Sequence, residues 1–180
     1  MADSNITKRA LAQAMKELMA EEPFAKISVG DICQRCGMNR KSFYYHFQDK
    51  YDLVNWIFYT EFISNLGQEA PGNGWGLLQS ICGYFYRERS FYRNAMQIQG
   101  QNSFREYFMQ VMEPFVQSFL HQVLSQIKDY DFATTFLTDA FLVSMFRWLS
   151  DPKLTAEEYL DELRDLLVAL AQYILAEAIE

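Results

Sequence analysis

Three cysteines in 180 residues, Cys33, Cys36 and Cys82, are too few and of the wrong parity for a disulfide framework. Two isolated histidines, His46 and His121, leave a histidine-based metal site without ligands. No run of about 18 uncharged apolar residues occurs, so nothing reads as a membrane span. The opening stretch MADSNITKRALAQ carries charges where a signal peptide needs an apolar segment. A cytoplasmic protein in a reducing compartment is expected. Also missing are a Ser/His/Asp set, a glycine-rich phosphate loop and a cluster of His, Asp and Glu. An enzyme is therefore disfavoured, and neither a cofactor nor a metal is expected. Strand alternation, internal repeats and low-complexity tracts are absent too, which leaves an all-α fold.

Positive charge is scarce overall, with a net charge of −7. It is unevenly spread. Residues 1–50 hold 8 basic and 6 acidic side chains, a net of +2, whereas residues 51–180 hold 8 and 17, a net of −9. A basic N-terminal portion on an acidic body suits a nucleic-acid contact confined to the first 50 residues. Half of the residues are hydrophobic and 16% are aromatic, enough for a sizeable core.

Apolar spacings of three and four predict a helix over Thr7–Glu21, capped by Ser4 or Asn5 and ended by Pro23. Ser28-x-x-Asp31 is a capping-box start for a second helix, with Val29 and Ile32 inward and Gly37 as its left-handed end. A third helix runs from about Asn39 to Phe47. Phe43 and Phe47, four apart, pack inward, but Tyr44, Tyr45 and His46 are consecutive and cannot all do so. Two short helices joined by a glycine turn, the second rich in basic and aromatic groups, match a helix-turn-helix over about 28–47. Lys41, Tyr44, Tyr45, His46 and Lys50 can donate to phosphates, and Ser28 sits at a helix N-terminus, where phosphates are favoured. Asn39, Arg40, Lys41 and Ser42 begin the third helix, whose first turns reach base edges in this docking geometry.

The run SVGDI, the Gly37 turn and SFYYHFQDKYDL resemble the N-terminal domain of TetR/AcrR-family transcriptional regulators over about Thr7–Leu66. The resemblance implies a TetR-like fold of about nine helices. It also implies backbone-touching roles for Tyr44, His46 and Lys50, and an inward Phe47. Cys33 and Cys36 depart from the small residues usual in the family. Cys33-x-x-Cys36 reads as helix packing, with a zinc or redox pair as the alternative. YDLVNWIFY and FYRNAMQIQGQNSFREYF further resemble the branch that includes regulators of dihydroxyacetone kinase operons (DhaS-like), which implies activation with a protein co-regulator.

Asp49 caps a fourth helix, Lys50–Leu66, apolar around nearly its whole circumference and suited to join a head (1–50) to a body (67–180). Gly67–Gly74 (GQEAPGNG) is a break. Further helices are expected over Trp75–Glu88, Ser90–Ile98, Ser103–Lys128 with a kink at Pro114, Phe132–Leu149, and Thr155 to Ala178 with a Thr155-x-x-Glu158 cap. QGQN (Gln99–Asn102), Lys128–Asp131 and SDPK (Ser150–Lys153) are turns. The body aromatics form either an effector pocket or only a core. Candidate lining residues are Phe62, Tyr84, Tyr92, Phe104 and Phe108, with Arg93, Arg105 and Arg147 to hold an anion or to pair with acids such as Glu106 or Asp139. Apolar residues across 132–149 and 155–178 exceed what one neighbour requires, which predicts a homodimer through a four-helix bundle. Such a dimer would meet a pseudo-palindromic double-stranded operator, under control of a small-molecule or protein effector. The rival within the same fold is a protein-binding adapter without DNA binding.

Overall fold

The computed structural model describes residues 2–65, 74–100, 102–123, 128–151 and 153–177. Among them are nine α-helices and no strand. Leu11, Ala14, Met15, Leu18 and Met19 recur at helical spacing and bury the inner stripe of α1 (Ala2–Glu21). This helix starts earlier than its apolar stripe predicts. Ser4, Asn5 and Ile6 lie inside it with exposed side chains, so neither Ser4 nor Asn5 caps it.

After Pro23 a single 3₁₀ turn (Phe24–Lys26) leads into α2 (Val29–Arg35) and α3 (Arg40–His46). Helix α4 (Lys50–Phe58) starts at Asp49, whose carboxylate accepts from the N–H groups of Tyr51 and Asp52, both at 2.8 Å. It then widens into a π turn over Tyr59–Ile63. Ser64 Oγ and Asn65 Nδ2 donate to the carbonyls of Thr60 and Glu61 beside this turn. The expected end at Leu66 and the break over 67–73 lie outside the described residues; Gly74 already opens α5 (Gly74–Arg87).

Helix α6 (Arg89–Ala95) comes directly after α5. Gly100 (φ +105°) and Asn102 (φ +63°) shape the turn into α7 (Phe104–Val123), which contains Pro114; Gln101 lies outside the described residues. Helix α8 (Tyr130–Ser150) begins two residues before the expected Phe132, because the Asp129 carboxylate accepts from the Phe132 N–H at 2.9 Å. The expected α7 end at Lys128 falls after residues 124–127, and the α9 end at Ala178 falls after Glu177; both are outside the described helices. Thr155 and Glu158 form the predicted reciprocal cap of α9 (Ala156–Glu177), with bonds of 2.8 and 3.2 Å.

Helix α1 packs on α2, α3, α4 and α6, so it belongs at once to the N-terminal helices and to the body. Phe58 of α4 is the centre of the aromatic core, with ring centroids 5.4–6.1 Å from Phe62, Phe85, Tyr92, Phe104 and Phe108. Arg89 ties α6 to the end of α8, donating to the carbonyls of Leu149 (3.0 Å), Trp148 (2.6 Å) and Asp151. Helix α8 packs along α7, and the first half of α9 packs on α5.

Candidate nucleic-acid interface

The helix-turn-helix is built from local hydrogen bonds that its sequence specifies. Ser28 N–H donates to Asp31 Oδ2 at 2.8 Å, and Asp31 N–H donates to Ser28 Oγ at 3.2 Å, closing the capping box of α2. Hydrogen bonds from the Ser28 hydroxyl and backbone hold the Asp31 carboxyl below its ordinary value of 3.8. Gly37 adopts φ +68°, a left-handed conformation that a Cβ would strain, and Met38 N–H closes the turn onto Cys33 O at 2.8 Å. Asn39 Oδ1 then accepts from Ser42 N–H at 2.9 Å and caps α3.

With α3 started at that angle, its two faces separate. Phe43 and Phe47 are buried, their rings 5.8 Å apart. Tyr44 is 57% and Tyr45 83% exposed, and Arg40 and Lys41 are exposed beside them. Ser42 and His46 are half-buried at the flanks, with the His46 ring edge-on to Tyr45 at 4.9 Å. Exposing two tyrosines on a short helix costs apolar burial, and a partner surface that takes them up would offset that cost.

The charges of the head are not all free. Arg35 makes a bidentate pair with Glu21 (2.6 and 2.7 Å), which neutralises it locally. Arg40 instead lies across Gly30, where an added Cβ would come within 2.7 Å of its Nη2. That positioning role of Gly30 has no signature in the sequence. Lys50 is half-buried, and its Nζ donates to the carbonyls of Phe24 and Ile27, both at 2.7 Å, over the Phe24 ring at 4.2 Å. Burial lowers its pKa. These two bonds use two of the three ammonium protons, and the Phe24 ring lies against the same group. Cys33 packs in the core, and the Cys36 thiol donates to Ile32 O at 3.2 Å; burial pushes both thiols up.

Residues 8–57 match the family model described as "Bacterial regulatory proteins, tetR family", and residues 75–168, over half the chain, match that family's "Transcriptional regulator C-terminal region". The chain belongs to the TetR family of bacterial transcription regulators. It is a DNA-binding regulator and not an enzyme. One relative is the "HTH-type dhaKLM operon transcriptional activator DhaS" of Lactococcus lactis subsp. lactis (strain IL1403), 31% identical over 110 residues. That match covers 61% of this chain and 58% of the relative, so it spans little more than half the relative's length. Among solved structures, a TetR regulator from Streptococcus agalactiae 2603V superposes with TM-score 0.70 at 22% identity, covering 89% of this chain and 93% of that one. NalD, a repressor of the MexAB-OprM efflux pump in Pseudomonas aeruginosa, gives 0.67 at 20% over 92% and 97%. The dihydroxyacetone kinase operon activator DhaS gives 0.61 at 23% over 93% and 97%. At these identities the superpositions speak to the fold alone.

In the body of this regulator, the residues expected to line a pocket divide into two groups. Phe62, Tyr84, Tyr92, Phe104 and Phe108 are buried in the core around Phe58; Phe62 stacks on Tyr84 at 5.0 Å and Phe85 on Tyr92 at 4.1 Å. The Tyr84 and Tyr92 hydroxyls bond each other at 2.9 Å, and burial pushes both far above the ordinary tyrosine value. Arg93 and Arg147 are exposed and Arg105 is half-buried, and none makes an ion pair with Glu106 or Asp139 among the described residues. The helices expected to dimerise also divide. Leu149 and Leu160 are buried within the chain, while Phe132, Phe136, Val143, Leu166, Leu167, Leu170 and Tyr173 are exposed. The side chains of Ile174 and Leu175 lie outside the described residues.

Proposed function

We propose that this regulator works as a homodimer that reads a pseudo-palindromic operator through α3. Arg40, Lys41, Ser42 and Tyr45 face the base edges. Tyr44, His46, Lys50 and the Ser28 end of α2 hold the phosphates, and Asn39 keeps the first turn of α3 in shape. The observation that carries this reading is the exposure of Arg40, Lys41, Tyr44 and Tyr45 on a helix whose other face is locked by Phe43. The dimer reading rests on α9, where every described residue from Arg164 to Tyr173 is exposed although leucines and a valine recur there. Two such faces, with Phe132 and Phe136 of α8, suit a four-helix bundle between subunits. The head is placed at residues 1–50, the link at 51–66 and the effector and dimerisation part at 67–180. No described helix is long and apolar enough to cross a membrane, which is compatible with a cytoplasmic site of action.

An effector acting on the body would shift DNA binding by favouring one of two head positions. The close stacking of Phe62, Tyr84, Phe85 and Tyr92 leaves no gap between those rings, so a small molecule entering there must part them. In a second reading a protein co-regulator docks from outside and the chain activates a dihydroxyacetone kinase operon; its support is the Lactococcus relative, which is named a dhaKLM operon transcriptional activator.

The test is binding of the purified protein to a duplex that it selects from a randomised pool, over a salt series. With six or more phosphates neutralised per dimer, affinity should fall about a thousandfold between roughly 50 and 200 mM salt. Failure to select any duplex, or binding indifferent to salt, would favour the adapter.

A further inference from the structure

Lys16 lies on the inner side of α1, next to buried Ala12, Met15 and Met19, with 18% of its side chain exposed. All of its ion-pair and ring partners lie beyond the head. Its ammonium is 2.9 Å from Glu61 Oε2 and 2.9 Å from Glu88 Oε2, with the Phe91 ring centroid at 6.0 Å. Glu61 belongs to the π turn that ends α4, and Glu88 stands between α5 and α6. One cation thus holds the first helix of the DNA-binding head to both the linking helix and the body.

The bonds continue inward. The Glu61 oxygen that accepts from Lys16 also accepts from the Tyr84 hydroxyl at 2.9 Å, and Tyr84 meets the fully buried Tyr92. An unbroken row of polar contacts runs from α1 to the middle of the aromatic core. The π turn supports it, because Glu61 faces Lys16 while its neighbour Phe62 stacks on Tyr84. A second tether lies one turn along α1, where Asn94 Nδ2 donates to the Met19 carbonyl. Burial alone would lower the Lys16 pKa, but the hydrogen bonds to Glu88 and Glu61 turn the shift upward, so the ammonium stays charged and paired.

We infer that Lys16 is a positioning residue for operator recognition: by clamping α1 to the π turn and to the α5–α6 junction, it fixes the head on the body and so sets the half-site spacing that the dimer accepts. Lys16 touches no side chain of the reading face. Its removal would leave Glu61 and Glu88 without their shared counter-charge and would leave the head held to the body by helix packing and the Asn94–Met19 bond, a looser attachment. This inference rests on the dimeric reading proposed for the regulator. It adds a residue that acts on geometry without contacting DNA.

Three duplexes test it: the operator selected by the wild-type protein, the same operator with one base pair inserted between half-sites, and a single half-site. Lys16→Met should bind the half-site within about twofold of wild type but the full operator about tenfold more weakly, the size of a typical coupling between neighbouring groups. The penalty for the inserted base pair, about tenfold or more in wild type, should shrink to about threefold or less as the head gains freedom. Lys16→Arg, which keeps a positive charge beside Glu61 and Glu88, should retain more of the wild-type pattern than Lys16→Met. Equal loss on half-site and full operator would show a folding role and overturn the inference, as would an unchanged spacing penalty in Lys16→Met. If the wild type itself does not prefer two half-sites to one, the dimeric reading has failed.

Discussion

Exchanging both Leu166 and Leu170 for glutamate should split the protein into monomers of 21.1 kDa and weaken operator binding about a hundredfold or more. The two leucines lie four residues apart on one face of α9 and are 56% and 48% exposed, beside Leu167 and Tyr173. Burying each against a second subunit contributes roughly 2 kcal/mol, and a glutamate there would have to be desolvated unpaired. The fold of each chain should survive, because α9 is held through its first half, by Tyr159 and Leu160 and by the Tyr159 hydroxyl donating to Ser144 Oγ at 2.9 Å. Binding would then lose the second head, which the first holds at high effective concentration. Light scattering on the variant checks the mass, and an intact dimer would remove α9 from the interface.

Phe43→Ala should destabilise the head by about 3–5 kcal/mol, a large part of the roughly 5–15 kcal/mol that holds a typical domain together. Phe43 is fully buried and its ring meets Tyr44 and Phe47 at 5.5 and 5.8 Å. Removing it leaves a cavity beneath α3. Tyr45→Ala, two positions along the same helix, should change stability by no more than about 0.5 kcal/mol, because Tyr45 is 83% exposed. Urea denaturation of the two variants measures the contrast. Similar losses for both would mean that α3 does not present one buried and one exposed face.

Much of this architecture is legible in the sequence because it depends on neighbours a few residues apart. Ser28 with Asp31, Thr155 with Glu158, and the Phe43–Phe47 pair each act within one turn of helix, and each holds in the fold as its spacing predicts. The early start of α1 is hidden because Ser4, Asn5 and Ile6 are exposed and precede its buried apolar stripe. The π turn at Tyr59–Ile63 has no residue signature in YTEFI; it accompanies contacts of Glu61 and Phe62 with the distant Tyr84. Lys50 and Lys16 are opaque for another reason. The partners of Lys50 lie 23 and 26 residues away and those of Lys16, Glu61 and Glu88, 45 and 72 residues away, and only packing brings those carbonyls and carboxylates to them. Likewise, composition does not separate a pocket from a core in the body. Ring separations of 4.1 to 6.1 Å around Phe58 and Tyr92, which show these rings packed on one another, are visible only in the fold.

Single changes at Tyr44 or Lys50 should weaken binding to all sequences alike, as contacts to the phosphate backbone would. The direct test of the reading face is the affinity and base preference of a Lys41→Ala, Tyr45→Ala double variant, measured on the selected operator and on single-base-pair substitutions of it. Both side chains are exposed on α3, so the fold should remain intact. The expected result is weaker operator binding together with a relaxed preference at the base pairs under the start of α3, where a mismatch otherwise costs about 1–3 kcal/mol. Unchanged affinity and unchanged preference would contradict it and would place the DNA contact on another face of the head.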